Sequence, residues 1–324
     1  MGSEANESGV VPYEFSVKKL ENNDHDGVCF KLNLHNQPEC VAPLEIGTAI
    51  VRHLRSMACQ FVGHEQITKA VIAVPVDFNA KQRNATKAAF EAAGLVVSRI
   101  LEEPTAAAIA YGLHQDPNVS FLLVFDFGGG TLDVSLLFAR NDAITVLDTV
   151  GDNHLGGEDL DVQLSAWLVQ QFEAQIGTAI TSRGGTETYR TELAHGLNEP
   201  PCTLAGVRQV AELAKRQLSD ETVTTAACAW SDRGQVVRPV VELTRSQFES
   251  LCLPLLERTM IPVLDILEAN NMATDEIDAV VVVGGSSRIP WVLERLTDIF
   301  QGRAPLSDID PDLAVALGAA RTLD

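Results

Sequence analysis

Two apolar runs, each ending on glycines, constrain this chain more than any other feature. Residues 122–126 (LLVFD) lead into Gly128, Gly129, Gly130 and Thr131. Much later, residues 280–283 (VVVV) lead into Gly284, Gly285, Ser286, Ser287, Arg288, Ile289 and Pro290. A short run of large and β-branched apolar residues bounded by glycine reads as a buried strand closing on a tight turn. Glycine at a strand end lets backbone N–H groups approach an anion with no Cβ in the way. Two such turns imply two half-sites closing on one phosphorylated ligand. Around the first, strands are expected at 121–126, 132–139 and 143–150, then a helix at 159–175. That order is not a simple βαβ dinucleotide unit.

The first turn, FDFGGGTLD, is the more specific. Its amides and the Thr131 hydroxyl offer donors for phosphate oxygens, and Asp126 is placed to hold a hydrated Mg²⁺, which keeps most of its waters. The dinucleotide fingerprint fails because its third glycine would fall at Asp133, and no Gly-Lys-Ser/Thr follows to make a P-loop. A plain hairpin needs one or two glycines and no flanking acids. The second turn alone is an ordinary strand–turn–helix unit, to which Arg288 adds a planar cation able to stack on a purine. In AELAKRQLS, Glu212, Lys215, Arg216 and Ser219 share a helical face. A carboxylate and an ammonium there can bracket ribose hydroxyls while a guanidinium covers the base; a solvated face of i,i+3 and i,i+4 ion pairs has the same spacing. Glu103, before Pro104 and an alanine-rich stretch, is either a buried acid orienting a water or a first-turn carboxylate favoured by the helix dipole.

Composition sets the outer bounds. The 324 residues carry a net charge of −20, which argues against nucleic acid or an anionic membrane as the main partner. Six cysteines without a C-x-x-C pair, and seven histidines without metal spacing, imply reduced thiols, no zinc site and a cytoplasmic protein. No apolar run reaches membrane-spanning length. Further along the chain, helix is expected at 43–61, 80–93 (capped by Asn79, stopped by Gly94), 207–218 and 291–300. Strands are expected at 67–76, 96–101, 222–229 and 236–243, the last an edge strand because of Pro239. Residues 178–206 read as a long exposed insertion, and Thr244 with Gln247 as a capping box before a helix broken near Pro254 and Pro262. A last helix is expected to start at Asp310-Pro311.

Taken in order, IAVPVDFNAKQRNATKAAFEAAGLVVSRILEEPTAAAIAYGL, FDFGGGTLDVSLL, DNHLGGEDLD, AELAKRQLS, VVVVGGSSRIP and DIDPDLAVALGAA resemble the seventy-kilodalton heat-shock proteins, the DnaK-type chaperones, from about residue 11 to the end. The resemblance implies an α/β, actin-like ATPase of two lobes on ribonuclease-H-like sheets, binding ATP or ADP with Mg²⁺. By position, Asp126 resembles the family's metal-shell aspartate, acting through water. Gly128, Gly129, Gly130 and Thr131 resemble its second phosphate loop, and Asp133 and Glu103 the acids that organise water and metal. Gly157, Glu158, Glu212, Lys215, Arg216, Ser219, Gly284, Gly285, Ser286, Arg288, Ile289 and Asp312 match nucleotide-side positions. Pro75 and Arg83 resemble an allosteric relay towards a substrate domain.

Residues 1–10, small and polar, read as a disordered tail or an expression scar; beyond them the resemblance implies an organisation: 11–116 an incomplete lobe I, 117–156 with 251–324 the base of lobe II, and 157–250 its upper subdomain with the insertion at 178–206. Its implied partners are a J-domain co-chaperone, a nucleotide-exchange factor and unfolded clients reached through a substrate domain. Wording such as SQFESLCLPL leans towards the ribosome-associated branch. The family's first phosphate loop and catalytic lysine have no counterpart here, so weakened hydrolysis is expected, in a fragment, a variant or a divergent member. A non-hydrolysing regulatory partner of a J-domain protein or of ribosomes is the alternative; a sugar kinase of the same fold fits the motif set less well.

Overall fold

The computed structural model describes residues 17–19, 28–34, 37–64, 66–181, 199–232 and 235–322. They fall into two compact units, Met1–Ala110 with Val315–Asp324, and Tyr111–Ala314. The expected tail at 1–10 lies outside the described residues.

In the first unit, β1 (Val17–Lys19), β2 (Val28–Leu34) and β3 (Gln37–Val41) form an antiparallel meander. Helix α1 (Pro43–Val62) leads to β4 (Lys69–Val74), α2 (Ala80–Ala92), β5 (Val96–Glu102) and α3 (Glu103–Ala110), with β4 and β5 parallel. Asn79 caps α2 as expected: its Oδ1 accepts from the Gln82 N–H at 3.0 Å, and its own N–H donates to Gln82 Oε1 at 2.7 Å. Gly94 ends the helix with a φ of +85°. Arg55 of α1 ties the layers together by donating to the carbonyls of Ile67 (2.9 Å) and Ala93 (3.2 Å). Ala106, Ala107, Ala108 and Ala110 are buried, and the C-terminal helix (Ala314–Arg321) approaches α3 so closely that a Cβ on Gly318 would strike the Ala106 carbonyl. On its outer side α1 exposes an apolar stripe, Ile50, Leu54, Met57 and Phe61, at i, i+4, i+7 and i+11.

The second unit is built on a four-stranded sheet of order β13-β6-β7-β8, from β6 (Phe121–Phe127), β7 (Leu132–Arg140), β8 (Ala143–Asp152) and β13 (Ala279–Val283). Strands β6 to β8 are an antiparallel meander, whereas β13 lies parallel to β6 with Val283 beside Asp126. All five β13 residues are buried, which is why that run shows no alternation. Helices α4 (Gly157–Ile176), α5 (Leu204–Asp220), α6 (Arg245–Arg258), α7 (Ile261–Ala269) and α8 (Pro290–Ile299) contribute to a core that includes Phe125, Phe127, Phe172, Phe248 and Phe300. The small strands β9 (Val223–Ala227) and β12 (Val240–Thr244) pair with each other, as do β10 (Trp230–Asp232) and β11 (Gln235–Val237).

Several expectations are corrected here. The cysteines are not all free thiols: Cys29 is bonded to Cys40 and Cys202 to Cys228, pairs that wide sequence spacing hides. Residues 199–206 are not an exposed insertion, since Cys202 is buried, Thr203 caps α5, and Gly206 lies under the Pro201 carbonyl; 182–198 lie outside the described residues. Pro239 separates β11 from β12 where a single strand is expected, because it has no N–H for a ladder; each of the two lies in a two-stranded sheet, at an edge as expected. Helix α6 runs through Pro254, while the break expected near Pro262 is present, at Thr259 and Met260, with Pro262 in the first turn of α7. The last helix begins at Ala314, after a turn, not at Asp310.

Candidate functional site

The parallel pairing of β6 and β13 has one decisive result: both glycine turns leave the sheet at the same end. Because β7 starts and β8 ends there too, with Leu132 opposite Asp152, the loop into α4 joins them. The Gly128 carbonyl holds the three together. It accepts from the Gly157 N–H at 3.0 Å and from the Ser286 hydroxyl at 2.8 Å. Beside it, the Glu158 N–H donates to the Gly129 carbonyl at 2.8 Å.

Glycine is required at these junctions. A Cβ on Gly156 would fall on the Gly129 carbonyl, and one on Gly284, whose φ is +81°, on the Phe127 carbonyl. Gly129, Gly130 and Thr131 are exposed at the rim, while the Gly128 N–H donates to the Thr131 carbonyl at 3.0 Å. The turn therefore presents the backbone of 129–131 outwards.

Asp126 and Asp133 face each other as cross-strand neighbours, so their side chains lie on one face. Burial, then the charge of Asp133, pushes the Asp126 carboxyl up from 3.8 to about 6. Gly151 makes room for this pair, since a Cβ there would stand 2.8 Å from Asp133 Oδ1. Two facing carboxylates suit a hydrated divalent ion bound through one or two oxygens. Among the described residues there is no cluster of three or more His, Cys, Asp or Glu that would enclose a metal.

Next to the second turn, a hollow of about 450 Å³ is lined by Ser219, Asp220, Val282, Ser287, Arg288, Pro290, Leu293, Glu294, Ser307 and Pro311. Arg288 is ion-paired with Asp310 and with Asp312, the latter at 3.3 Å, which holds its guanidinium over the rim. Gly285 backs onto Asp312, whose Oδ1 would be 2.9 Å from a Cβ.

Helix α5 divides its expected contacts. Ser219 lines the hollow. Lys215 is buried against α4, whereas Glu212 and Arg216 form an exposed i,i+4 pair at 3.8 Å. Glu158 pairs with Arg208 at 3.5 Å, and Ile289 is turned into the core at 2% exposure. Glu103, Pro75 and Arg83 belong to the first unit. There Arg83 donates to the carbonyls of Phe78 (2.8 Å) and Val76 (3.0 Å) and pairs with Glu102 at 3.2 Å, bracing the turn after Pro75; Glu103 opens α3. Sequence reasoning missed Gly151, Gly156 and Asp161. Only the Gly-Gly doublet at 156–157 left a signal.

Fold and loops together define an α/β protein whose two strand-end glycine turns meet at one sheet end beside a carboxylate pair. The Hsp70 protein family model matches residues 3–323, and the chain belongs to that family, whose nucleotide-binding domain has the actin-like ATPase fold. A curated relative, the chaperone protein dnaK of Thalassiosira pseudonana, is 39% identical over 316 residues, covering 97% of this chain and 48% of the relative. The chain thus spans about half the length of the curated relative it matches. No described helix is long and apolar enough to cross a membrane.

Proposed function

We propose that this chain binds ATP and ADP with Mg²⁺, as the nucleotide-binding part of an Hsp70 chaperone. One observation carries the reading: β6 and β13 pair in parallel, bringing a phosphate-type turn and an adenosine-type turn to one sheet end, joined through the Gly128 carbonyl. In this reading Gly129, Gly130 and Thr131 bind phosphate oxygens, and Ser219 and Arg288 flank the base in the hollow. Gly157, Glu158, Glu212, Lys215, Arg216, Gly284, Gly285, Ser286, Ile289 and Asp312 complete the nucleotide side. Asp126 and Asp133 hold the hydrated ion. Magnesium, when bound, neutralises phosphate charge and lets an acidic protein accept a polyanion. Glu103 orients a water for hydrolysis, and Pro75 with Arg83 relays the nucleotide state. A cytoplasmic chaperone of this kind would work in the stress response with a J-domain protein, an exchange factor and unfolded clients.

Isothermal titration of the 324-residue chain with Mg·ADP and Mg·ATP tests the reading, alongside single-turnover hydrolysis. Saturable binding of one nucleotide per chain supports it; no heat and no displacement of a fluorescent ADP analogue refutes it. Binding without turnover that persists on adding a J-domain protein would favour a regulatory, non-hydrolysing role.

A further inference from the structure

We infer that Asp161, one turn into α4, is a positioning residue for the nucleotide: its charge fixes the Lys215 ammonium at the junction of the three loops, and so sets the place from which that ammonium meets the ribose. This rests on the nucleotide reading of the site. Asp161 and Lys215 are 5% and 9% exposed. Lys215 Nζ stands 2.8 Å from Asp161 Oδ1 and donates to the Gly157 carbonyl at 2.8 Å. An ammonium has three N–H donors; the Gly157 carbonyl takes one, and Asp161 Oδ1 faces the ammonium as an ion pair rather than as a hydrogen-bond acceptor.

The place of this ammonium is defined by what surrounds it. A Cβ on Gly157 would lie 3.0 Å from Lys215 Nζ and would strike the Ser286 hydroxyl. The Gly157 N–H and the Ser286 hydroxyl both donate to the Gly128 carbonyl. One run of polar contacts therefore passes from Asp161 through Lys215 and Gly157 to Gly128 and Ser286. It joins the adenosine helix α5 to both glycine turns.

A buried ion pair is poor evidence for stability, because desolvation offsets the attraction. Here desolvation outweighs Lys215, and the Asp161 carboxyl is held above the usual carboxylate range. Cys252, whose thiol burial pushes up to about 12, supplies no countercharge. What the pair supplies is geometry: it holds the Lys215 ammonium at the Gly157 carbonyl, where the three loops meet.

The test compares ADP with 2′,3′-dideoxy-ADP, which lacks the ribose hydroxyls, by isothermal titration with Mg²⁺. The proteins are the parent chain, Asp161→Asn, Asp161→Ala, Lys215→Met and the double variant Asp161→Ala/Lys215→Met. The expected result is a loss of about tenfold or more in ADP affinity for Asp161→Ala, as for a hydrogen bond involving a charged group. Dideoxy-ADP should change less than about threefold, and the double variant should be no worse than Lys215→Met. Asp161→Asn, which keeps the side chain's shape without its charge, should fall between parent and alanine. Equal losses for both nucleotides, or additive losses in the double variant, overturn the inference and leave Asp161 a structural residue. If Asp161→Ala is unfolded by circular dichroism, the same ADP-to-dideoxy comparison in Asp161→Asn decides. A parent chain that binds neither nucleotide overturns the nucleotide reading as well.

Discussion

Replacing Asp126 by asparagine should stabilise the ligand-free protein while removing its response to magnesium. The cause lies at the hairpin end, where Asp126 faces Asp133 across β6 and β7. Burial first, and Asp133 second, raise its carboxyl from 3.8 to about 6. A folded-state pKa above the unfolded value means that the folded chain prefers the protonated acid. That contribution is full below pH 3.8 and is lost as pH rises through about 6. At about 1.4 kcal/mol per pH unit, the ionised group costs about 3 kcal/mol above pH 7, an upper bound because the site is partly solvated.

Asparagine carries no charge to desolvate, so the variant should exceed the parent by about 2–3 kcal/mol at pH 8 and by almost nothing at pH 4. For a unit of about 200 residues, that is roughly 4–12 °C in Tm. Urea denaturation at pH 4, 6 and 8 with EDTA gives the difference directly; other carboxylates titrate in both proteins and cancel. Adding Mg·ADP at a hundredfold excess over Kd should raise the parent's stability by about 2.7 kcal/mol and the variant's by much less. A variant no more stable than the parent at pH 8, or an advantage that does not grow between pH 4 and 8, would refute the reasoning.

Gly284→Ala places a Cβ on the Phe127 carbonyl at a φ of +81°, and should cost about 2–4 kcal/mol in urea denaturation, from left-handed strain plus overpacking. Arg288→Ala breaks two partly exposed ion pairs to Asp310 and Asp312. Stability should change by less than about 1 kcal/mol, while ADP affinity falls about tenfold by titration. Reduction of the Cys202–Cys228 bond, which closes a separation of 26 residues, should lower stability by about 3–4 kcal/mol. Cys228→Ser should show the same loss with or without dithiothreitol.

What the sequence made legible is local. Glycine turns, the Asn79 and Thr244 caps and the Gly94 stop are each written within a few residues of where they act. Both caps take the form expected, with Thr244 Oγ1 accepting from the Gln247 N–H at 3.2 Å. Element limits moved where a competing contact won: Thr203, not Val207, starts α5, because its hydroxyl accepts from the Gly206 N–H at 3.0 Å.

What stayed hidden is non-local. Nothing around residue 126 announces that β13 will lie beside it, since parallel pairing needs a long crossover. The α5 motif gave four residues on one face, yet burial of Lys215 depends on Asp161, on a different helix. The cysteine pairs failed to show for the same reason: Cys202 and Cys228 meet only once α5 packs beside β9.

The account stands or falls on where an adenine nucleotide sits. A crystal structure of the chain grown with excess Mg·ADP should show phosphate oxygens against the amides of 129–131, the hydrated ion next to Asp126, and the base between Ser219 and Arg288. Density for ADP elsewhere on the chain, or this sheet end empty at saturating ligand, would contradict it.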